Sequence, residues 1–204
     1  MSQETDIAIR KATPKQGSKL AELMNLAGEG LPAHLWSGAA GPGEDPMEVG
    51  AKRIANAEGA FSYRNIHVAL ADDEIAGMLL SYQLPDPYPV GSLKDYPEPV
   101  RPLIELESLA PGSWYINGIA TAKAWRGRGI GRRLMHYAEF LAREAEARGL
   151  SLIVAEQNSG AKAMYEKLGY SPIGRRRIVP YPGAHDGDWI LMKKKIASDA
   201  EVMN

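Results

Sequence analysis

The sequence predicts a mixed α/β (α+β) fold in which helices flank a mostly antiparallel sheet of about seven strands. Segments with the alternation or apolar content of strands are interleaved with segments of helical periodicity along the 204 residues. One stretch, residues 113–155, reads as strand, glycine-rich turn, amphipathic helix and apolar strand, which is a βαβ unit with two parallel strands. No repeat or linker divides the chain, so we expect one domain over residues 1–196 and a flexible tail over 197–204.

The strands are predicted from alternation and from turn signals. Asp72 and Asp73 separate two apolar segments in the manner of a hairpin. The run at 150–155 is continuously apolar, which indicates a strand buried on both faces. The predicted strands cover residues 6–12, 65–71, 74–82, 113–121, 150–155, 171–179 and 188–195.

Helices are predicted from periodicity and from capping signals. The first begins at Thr13-Pro14, and a second covers residues 47–58. The longest follows the glycine-rich turn and is expected to end at Gly149 as a left-handed cap. A short helix in 158–169 is closed by Gly169. Residues 28–46 and 84–112 are rich in glycine or proline and are predicted to be loops, and loops of this length are usually functional or disordered.

The composition is that of a globular protein without thiol or metal chemistry. The formal net charge is -1, which excludes a chain built to coat nucleic acid or an anionic membrane. There is no cysteine, and the four histidines show no metal-ligand spacing, so we expect no metal site. The first residues show no secretory pattern, and no apolar segment approaches the ~20 residues of a membrane span. We therefore expect a cytoplasmic location.

The stretch WRGRGIGRRL, residues 125–134, places three glycines at alternate positions before the longest predicted helix. Glycine weakens a helix start, so this arrangement indicates that something approaches the backbone closely. The N–H groups of a first helical turn are unpaired and carry the positive end of the helix dipole. Without Cβ atoms at Gly127, Gly129 and Gly131, phosphate oxygens can reach these groups, and the neighbouring arginines add charge. The motif predicts a pyrophosphate site.

Two other phosphate-binding motifs were weighed against this pattern. A P-loop requires Lys and Ser or Thr after its last glycine, and Arg132-Arg133 provides neither. A dinucleotide fold requires Gly-x-Gly-x-x-Gly close behind its strand, but the third glycine is missing whether the motif is started at Gly127 or at Gly129. Glu156, at the end of the next strand, imitates the ribose-binding acid of that fold, so dinucleotide binding stays an alternative.

The pattern Arg126-x-x-Gly129-x-Gly131 resembles the acetyl-coenzyme A motif of the GNAT superfamily of N-acetyltransferases, Gln/Arg-x-x-Gly-x-Gly/Ala. NSGAKAMYEKLGY, residues 158–170, resembles the second motif of that superfamily, in which an asparagine and a tyrosine precede Leu-Gly-Phe/Tyr. The strand order also matches, so the resemblance covers nearly the whole chain. The two predicted loops, 28–46 and 84–112, are the departures, and they lie where the superfamily places its acceptor substrate.

The resemblance implies a GNAT-like domain whose parallel fourth and fifth strands splay around the cofactor. It implies acetyl-coenzyme A as co-substrate. Backbone groups of Ile119, Ala120 and Thr121 would bind the pantetheine arm, and Asn158 would hydrogen-bond it. The pyrophosphate would be held by the loop and the helix start, that is, by Arg126, Gly127, Arg128, Gly129, Ile130 and Gly131.

The resemblance also implies a catalytic role for Tyr165, which would contact the cofactor near its sulfur and protonate the leaving thiolate. The alternative is that Tyr165 is only an apolar helix position. The general base is not defined. Glu105 and Glu107 precede the fourth strand and Glu156 ends the fifth, and we take Glu107 and Glu156 as candidate catalytic residues. The alternative for each is a solvated surface carboxylate.

The expected function is transfer of an acetyl group to a primary amine, in a small molecule or a peptide, within a ternary complex. The loop at 84–112 has more acidic than basic residues, which suits a cationic acceptor, and the alternative is a solvated loop without a role in binding. We expect neither nucleic acid nor a membrane as a partner, and a homodimer is left open. A non-catalytic acyl-coenzyme A-binding module of the same fold is the main alternative.

Overall fold

The structure is a computed structural model that describes residues 6–196. The predicted tail at 197–204 lies outside the described residues. Contacts divide the described chain into two compact units. The first consists of 6–81, Asn117–His136 and Tyr181–Ala184, and the second consists of Tyr82–Ile116, Tyr137–Pro180 and 185–196. One domain over residues 1–196 stays a prediction.

Among the described residues, seven strands form one sheet. They are Ile7–Lys11 (β1), Ile66–Ala71 (β2), Glu74–Gln83 (β3), Trp114–Thr121 (β4), Leu150–Ala155 (β5), Ser171–Arg177 (β6) and Asp188–Lys194 (β7). Their order is β1-β2-β3-β4-β5-β7-β6. β4 and β5 are parallel, with Trp114 to Ile116 opposite Leu150 to Leu152, whereas β1 and β2, β2 and β3, β5 and β7, and β6 and β7 are antiparallel. The predicted fold class is confirmed; the splay of β4 and β5 around a cofactor stays a prediction.

Six α-helices accompany these strands within residues 6–196. They are Gly17–Ala27 (α1), Leu31–Ala39 (α2), Pro46–Ala55 (α3), Arg101–Glu107 (α4), Ile130–Glu144 (α5) and Ser159–Lys167 (α6). Short 3-10 turns lie at Pro14–Gln16, Tyr63–Asn65, Leu93–Asp95, Glu98–Val100 and Lys123–Trp125. None of the helices described is both long enough and apolar enough to cross a membrane.

The prediction of a loop at 28–46 is wrong, because α2 lies within it. Gly30 adopts a left-handed conformation with φ of 89°, and the chain enters the helix directly afterwards. Leu31 and Trp36 are buried, and the N–H of Ala33 donates to Asn25 Oδ1 at 3.0 Å. The glycines and prolines that suggested a loop lie mostly at the ends of α2, where they are compatible with a helix. Burial of the Leu31 and Trp36 side chains therefore stabilises a helix where the composition suggested a loop.

The prediction of a loop at 84–112 is also wrong in part. Two 3-10 turns and α4 lie within this segment. Pro102 is in the first turn of α4, where the missing N–H has no partner to lose. Ile104 and Leu106 of α4 are buried and anchor the segment in the second unit. The apolar residues of this short helix are too few to show a clear period.

The end of α5 differs from its prediction as well. The helix ends at Glu144, and Glu146 takes the left-handed conformation with φ of 49°. The N–H of Ala147 then bonds to the carbonyl of Ala142 at 3.0 Å. Gly149, with φ of 145°, lies in a short connection to β5, where a Cβ would be 2.7 Å from the carbonyl oxygen of Lys194. Gly149 therefore allows the chain to pass close to Lys194 as it enters β5, and it is not the cap of α5.

Each unit has its own apolar core. In the first, fully buried side chains come from α1, α3, β2, β3 and the start of α5, namely Leu20, Ile54, Ile66, Met78, Leu79, Leu80, Ile130 and Leu134. In the second they come from α4, β5 and β7, namely Leu106, Leu150, Leu152 and Leu191. The buried pattern of β5 confirms that its continuous apolar run is covered on both faces.

Candidate active site

The glycine motif forms a turn between a 3-10 turn at Lys123–Trp125 and α5. Gly127 and Gly129 have φ of 77° and 76°, a conformation that other residues adopt only with strain. A Cβ built on either glycine would have no heavy atom within 4 Å among the described residues. Both glycines therefore set the path of the backbone and leave the space above it open.

The start of α5 is held in place by apolar contacts of the first unit. Ile130 and Leu134 are buried and lie against Gly77 of β3. A Cβ on Gly77 of β3 would lie 2.9 Å from the carbonyl oxygen of Ala120 and 3.0 Å from Ile130 Cγ2. The first turn, which includes Gly131, presents N–H groups without intrahelical partners at the open turn. This arrangement fits a phosphate group.

Arg126, Arg128 and Arg132 of the motif add positive charge at the glycine turn. The guanidinium of Arg128 stacks on the Trp125 ring at 4.7 Å from the ring centroid, and Arg126 Nε lies 3.5 Å from the carbonyl oxygen of Thr121. Over residues 6–196, no carboxylate lies within ion-pair distance of Arg126, Arg128 or Arg132. The net field at the turn is therefore attractive to an anion.

The predicted pantetheine-binding residues lie at the end of β4, directly before this turn. Ala120 is buried, whereas Ile119 and Thr121 are half-buried. The N–H of Ala122 bonds to the carbonyl of Ala76 in β3 at 2.8 Å, which fixes the end of the strand. Contact of these residues with a cofactor stays a prediction.

Asn158 and Tyr165 lie at the start and in the last turns of α6. Asn158 Oδ1 accepts from the N–H of Ala161 at 3.2 Å, so this side chain caps the helix. Tyr165 is buried, and its ring tilts against the ring of Tyr170 with 6.0 Å between centroids. The N–H of Tyr170 bonds to the Tyr165 carbonyl, and Gly169 turns the chain with φ of 88°. The second motif therefore folds as a capped helix that fixes the Tyr165 ring.

Glu156 lies beyond the end of β5 and belongs to an ion-pair group. Arg175 of β6 lies 3.9 Å from Glu156 Oε1 and 3.6 Å from Asp188 Oδ2. The Glu156 side chain is 42% exposed, so solvent and a guanidinium both stabilise its charge. Glu156 is therefore placed as a surface carboxylate in an ion-pair group.

Glu107, at the end of α4, has the opposite environment. It is 8% exposed, and the hydroxyl of Tyr88 donates to Glu107 Oε2 at 2.5 Å. The hydroxyl of Tyr115 in β4 is a second hydrogen-bond partner of the carboxyl group. Burial raises the pKa of Glu107, although the two phenol hydrogen bonds act against this shift. Glu107 is therefore a carboxyl group that exchanges a proton above the usual range.

Tyr88 reaches Glu107 because the segment before α4 is tied down at several points. The N–H of Leu84 bonds to the Ser113 carbonyl at 2.9 Å, and Asp86 pairs with Arg148 at 2.6 Å. Sequence reasoning did not select Tyr88 or Tyr115. The available signal was composition, since residues 82–115 hold four of the nine tyrosines, at positions 82, 88, 96 and 115.

The remaining candidate residues have ordinary partners. Glu105, two residues before Glu107, pairs with Arg176 Nε at 3.0 Å. No group of three or more His, Asp or Glu side chains among residues 6–196 is arranged to hold a metal ion. His67 is buried in β2, and burial together with the charge of Lys11 lowers its pKa to about 4. His67 is therefore neutral near pH 7.

The family model described as "Acetyltransferase (GNAT) family" matches residues 36–170, two thirds of the chain. The chain belongs to the acetyltransferase (GNAT) family. A Bacillus subtilis (strain 168) protein, named as a candidate ribosomal protein bS18-alanine N-acetyltransferase, is 39% identical over 62 residues. That alignment covers 30% of this chain and 41% of the length of the curated relative.

Solved structures share the fold of this family member. One described as an acetyltransferase has a TM-score of 0.64 and 23% identity, and the match covers 93% of this chain and 100% of the other. An N-acetyltransferase from Staphylococcus aureus Mu50 has a TM-score of 0.61 and 21% identity, covering 91% and 99%. These structural matches confirm the predicted fold, and the family model confirms the predicted family. The family also confirms the predicted acetyltransferase class with acetyl-coenzyme A as co-substrate, and the open, positively charged glycine turn fits the pyrophosphate of that molecule.

The glycine turn generates a prediction with a matched control. Gly129→Ala places a methyl group in the open space above the turn, whereas Gly43→Ala places one at a remote turn with a similar φ of 78° and no neighbour within 4 Å. Both variants bear a similar backbone strain. We expect only Gly129→Ala to weaken acetyl-coenzyme A binding, by roughly tenfold or more. Isothermal titration of both variants measures this. Equal affinities would show that residue 129 is only a turn residue.

Glu107 generates a prediction about pH. The ordinary pKa of 4.5 applies to the unfolded chain, and burial raises the pKa in the folded one. The folded state therefore holds its proton while the unfolded state loses it, and the stability of the native protein falls as pH rises between these two pKa values. Residue 107 does not titrate in Glu107→Gln. The unfolding free energy of this variant minus that of the native protein should therefore rise with pH in this window, by up to about 1.4 kcal/mol per pH unit.

Urea unfolding of both proteins from pH 4 to pH 8 measures this difference. A difference that is constant with pH, or that moves in the opposite direction, would show that the two phenols outweigh burial and hold Glu107 ionised.

Proposed function

We propose that this chain transfers an acetyl group from acetyl-coenzyme A directly to a primary amine in a ternary complex. The observation that carries the proposal is the open turn with positive φ at Gly127 and Gly129, at the start of α5, within a chain of the acetyltransferase family. Backbone N–H groups from Arg126 to Gly131 would bind the pyrophosphate. Ile119, Ala120, Thr121 and Asn158 would bind the pantetheine arm.

Direct transfer requires a neutral amine, a polarised carbonyl and a stabilised leaving group. The amine nitrogen bonds to the carbonyl carbon of the thioester, and the carbon–sulfur bond breaks. A backbone N–H at the end of β4 would polarise the carbonyl oxygen, as in an oxyanion hole. Tyr165 would give its phenol proton to the thiolate, which leaves as the free thiol of coenzyme A, and the proton that the nitrogen loses as the amide forms would restore the phenol. Its buried ring, held against Tyr170, supports a fixed position for that proton.

Of the two candidate bases, Glu107 is the better one. A protonated alkylamine has a pKa near ~10, so its proton must be removed by a group that competes at working pH. Burial raises the pKa of Glu107 toward that range, whereas Glu156 is half-exposed and faces Arg175. We therefore assign the base to Glu107 and assign Glu156 to the Arg175 ion-pair group.

A homodimer and a cytoplasmic location stay predictions. The family match leaves dinucleotide binding without support. A non-catalytic acyl-coenzyme A-binding protein of the same fold would keep the glycine turn and lose only turnover.

Turnover on amines is therefore the test of the proposed function. We expect acetyl-coenzyme A to stabilise the protein by roughly 2.7 kcal/mol at one hundred times its dissociation constant, and NAD not to do so. With a panel of alkylamines, polyamines, amino acids and short peptides, release of free coenzyme A thiol should require one class of amine. Stabilisation without thiol release on any amine would indicate the binding protein, and stabilisation by NAD alone would contradict the proposal.

The role of Tyr165 has a matched control in its neighbour. Tyr165→Phe removes the proposed acid and keeps the ring, and Tyr170→Phe makes the same change at a second buried tyrosine in contact with the first. We expect only Tyr165→Phe to slow acetyl transfer, by about 10²–10⁴-fold, with acetyl-coenzyme A affinity nearly unchanged. Single-turnover measurements isolate the chemical step. Parent rates for Tyr165→Phe would make Tyr165 a packing residue.

A further inference from the structure

Two tyrosines of the second unit contact Glu107, and two more lie near those two. We name Tyr82, Tyr88, Tyr96 and Tyr115 the tyrosine cluster. Tyr88 and Tyr115 are hydrogen-bonded to the Glu107 carboxyl group. The ring of Tyr82 meets the ring of Tyr115 edge-on at 5.9 Å. Tyr82 and Tyr96 lie near enough to Tyr88 to act electrostatically on its phenol. The segment at 82–115 thus places two phenols on one carboxyl group and two further aromatic rings near those phenols.

The carboxyl group of Glu107 differs from those of Glu105, Glu139 and Glu156 in the second unit, each of which has a cation beside it. Glu105 pairs with Arg176, Glu139 with Lys194 and Glu156 with Arg175. Within residues 6–196, no basic side chain forms an ion pair with Glu107, although Glu107 is 8% exposed. A buried carboxylate without a counter-charge is costly, and two phenol hydrogen bonds offset only part of that cost. A cation bound beside Glu107 would therefore lower the cost of ionising its carboxyl group.

The tyrosine cluster reaches solvent on the side of three of its rings. Tyr82, Tyr88 and Tyr96 are half-buried, while Tyr115 and Glu107 are buried. Tyr88, which donates to the carboxyl group, is itself half-buried, so a small cation can contact this phenol from solvent. Aromatic faces next to a carboxylate attract an organic ammonium group, because the ring quadrupole and the anion act on it together.

We propose that the tyrosine cluster and Glu107 form the acceptor subsite, which takes the protonated amine of a cationic small molecule. This inference rests on the proposed acetyl transfer, and it names the substrate class. An ammonium group donates to the Tyr88 oxygen, whose own hydroxyl donates to Glu107 Oε2. Amines that carry a carboxylate next to the nitrogen are disfavoured, because that carboxylate would face Glu107.

The same contacts give the proton a route. The ammonium proton passes to the Tyr88 oxygen as the Tyr88 hydroxyl proton passes to Glu107 Oε2. The amine is left neutral, Tyr88 is unchanged, and Glu107 becomes a neutral acid, so charge and atoms balance. The 2.5 Å contact between the two oxygens suits such a transfer. Tyr88 is thus assigned two roles, in which it binds the ammonium group and relays the proton to Glu107.

The test measures charge recognition without chemistry. Coenzyme A in place of acetyl-coenzyme A prevents transfer, so pentylamine can be titrated at pH 7.5, where it is protonated, against pentan-1-ol of similar shape. The proteins are the native chain, Glu107→Gln, Tyr88→Phe and the control Glu105→Gln, which changes a carboxylate of the same helix that is paired with Arg176. Ligand-observed NMR gives the dissociation constants.

We expect the native protein and Glu105→Gln to bind pentylamine at least about tenfold more tightly than pentan-1-ol. Glu107→Gln should lose most of this preference, and Tyr88→Phe, which keeps the ring, should lose part of it. In the transfer assay, cationic amines should be accepted over amino acids. If Glu107→Gln does not fold, as judged by circular dichroism, Tyr88→Phe carries the comparison.

Equal binding of the amine and the alcohol by the native protein would overturn the inference, as would an equal preference in Glu107→Gln and Glu105→Gln. These outcomes are distinct from failure of the proposed function. A chain that acetylates amines but shows no Glu107-dependent preference contradicts only the subsite. A chain that binds the cation at Glu107 but transfers no acetyl group contradicts only the catalysis.

Discussion

The close approach of β3 to β4 and to the first turns of α5 is the constraint on which the glycine turn depends. Gly77 makes this approach possible, because a Cβ there would be 2.9 Å from the Ala120 carbonyl oxygen and 3.0 to 3.1 Å from Ile130 and Leu134. With α5 held so near the strand, the chain must reverse within a few residues, and positive φ at Gly127 and Gly129 accomplishes this. The unpaired N–H groups of the first turn are then presented at an open surface rather than buried under side chains.

The parts of the fold and site that sequence reasoning predicted are those set by local rules. The bounds of β5 agree with the prediction because a continuous apolar run between Gly149 and Glu156 has one reading in a βαβ unit. The glycine turn is predicted because glycines at alternate positions before a helix are visible in the sequence. The structure gives Gly127 and Gly129 the positive φ that glycine adopts without strain. Asn158 and Gly169 were likewise visible as the start and end signals of α6.

Where the prediction was wrong, packing had overridden composition. α2 forms despite its glycine and proline content because Leu31 and Trp36 are buried, and no local pattern announces that burial. α4 is only seven residues long, so its apolar residues cannot establish a helical period. α5 ends earlier than Gly149 because Glu146 takes the left-handed conformation, which a glutamate rarely does. In each case the outcome is decided by packing between segments that are distant in sequence, or by a conformation that the residue type disfavours.

Glu105 and Glu107 show why the cofactor-binding part of such a site is easier to predict from sequence than the acceptor-binding part. Two residues apart on α4, they point about 200° apart around the helix axis, since each residue turns it by about 100°. One carboxylate therefore meets Arg176, and the other is buried with Tyr88 and Tyr115. The sequence shows two equivalent acids, because the orientation of this short helix depends on partners that lie 71 residues from Glu105 and 19 residues from Glu107 along the chain. A phosphate held by backbone N–H groups needs only glycines and a helix start, whereas an ammonium group held by a buried carboxylate needs several side chains placed by tertiary packing.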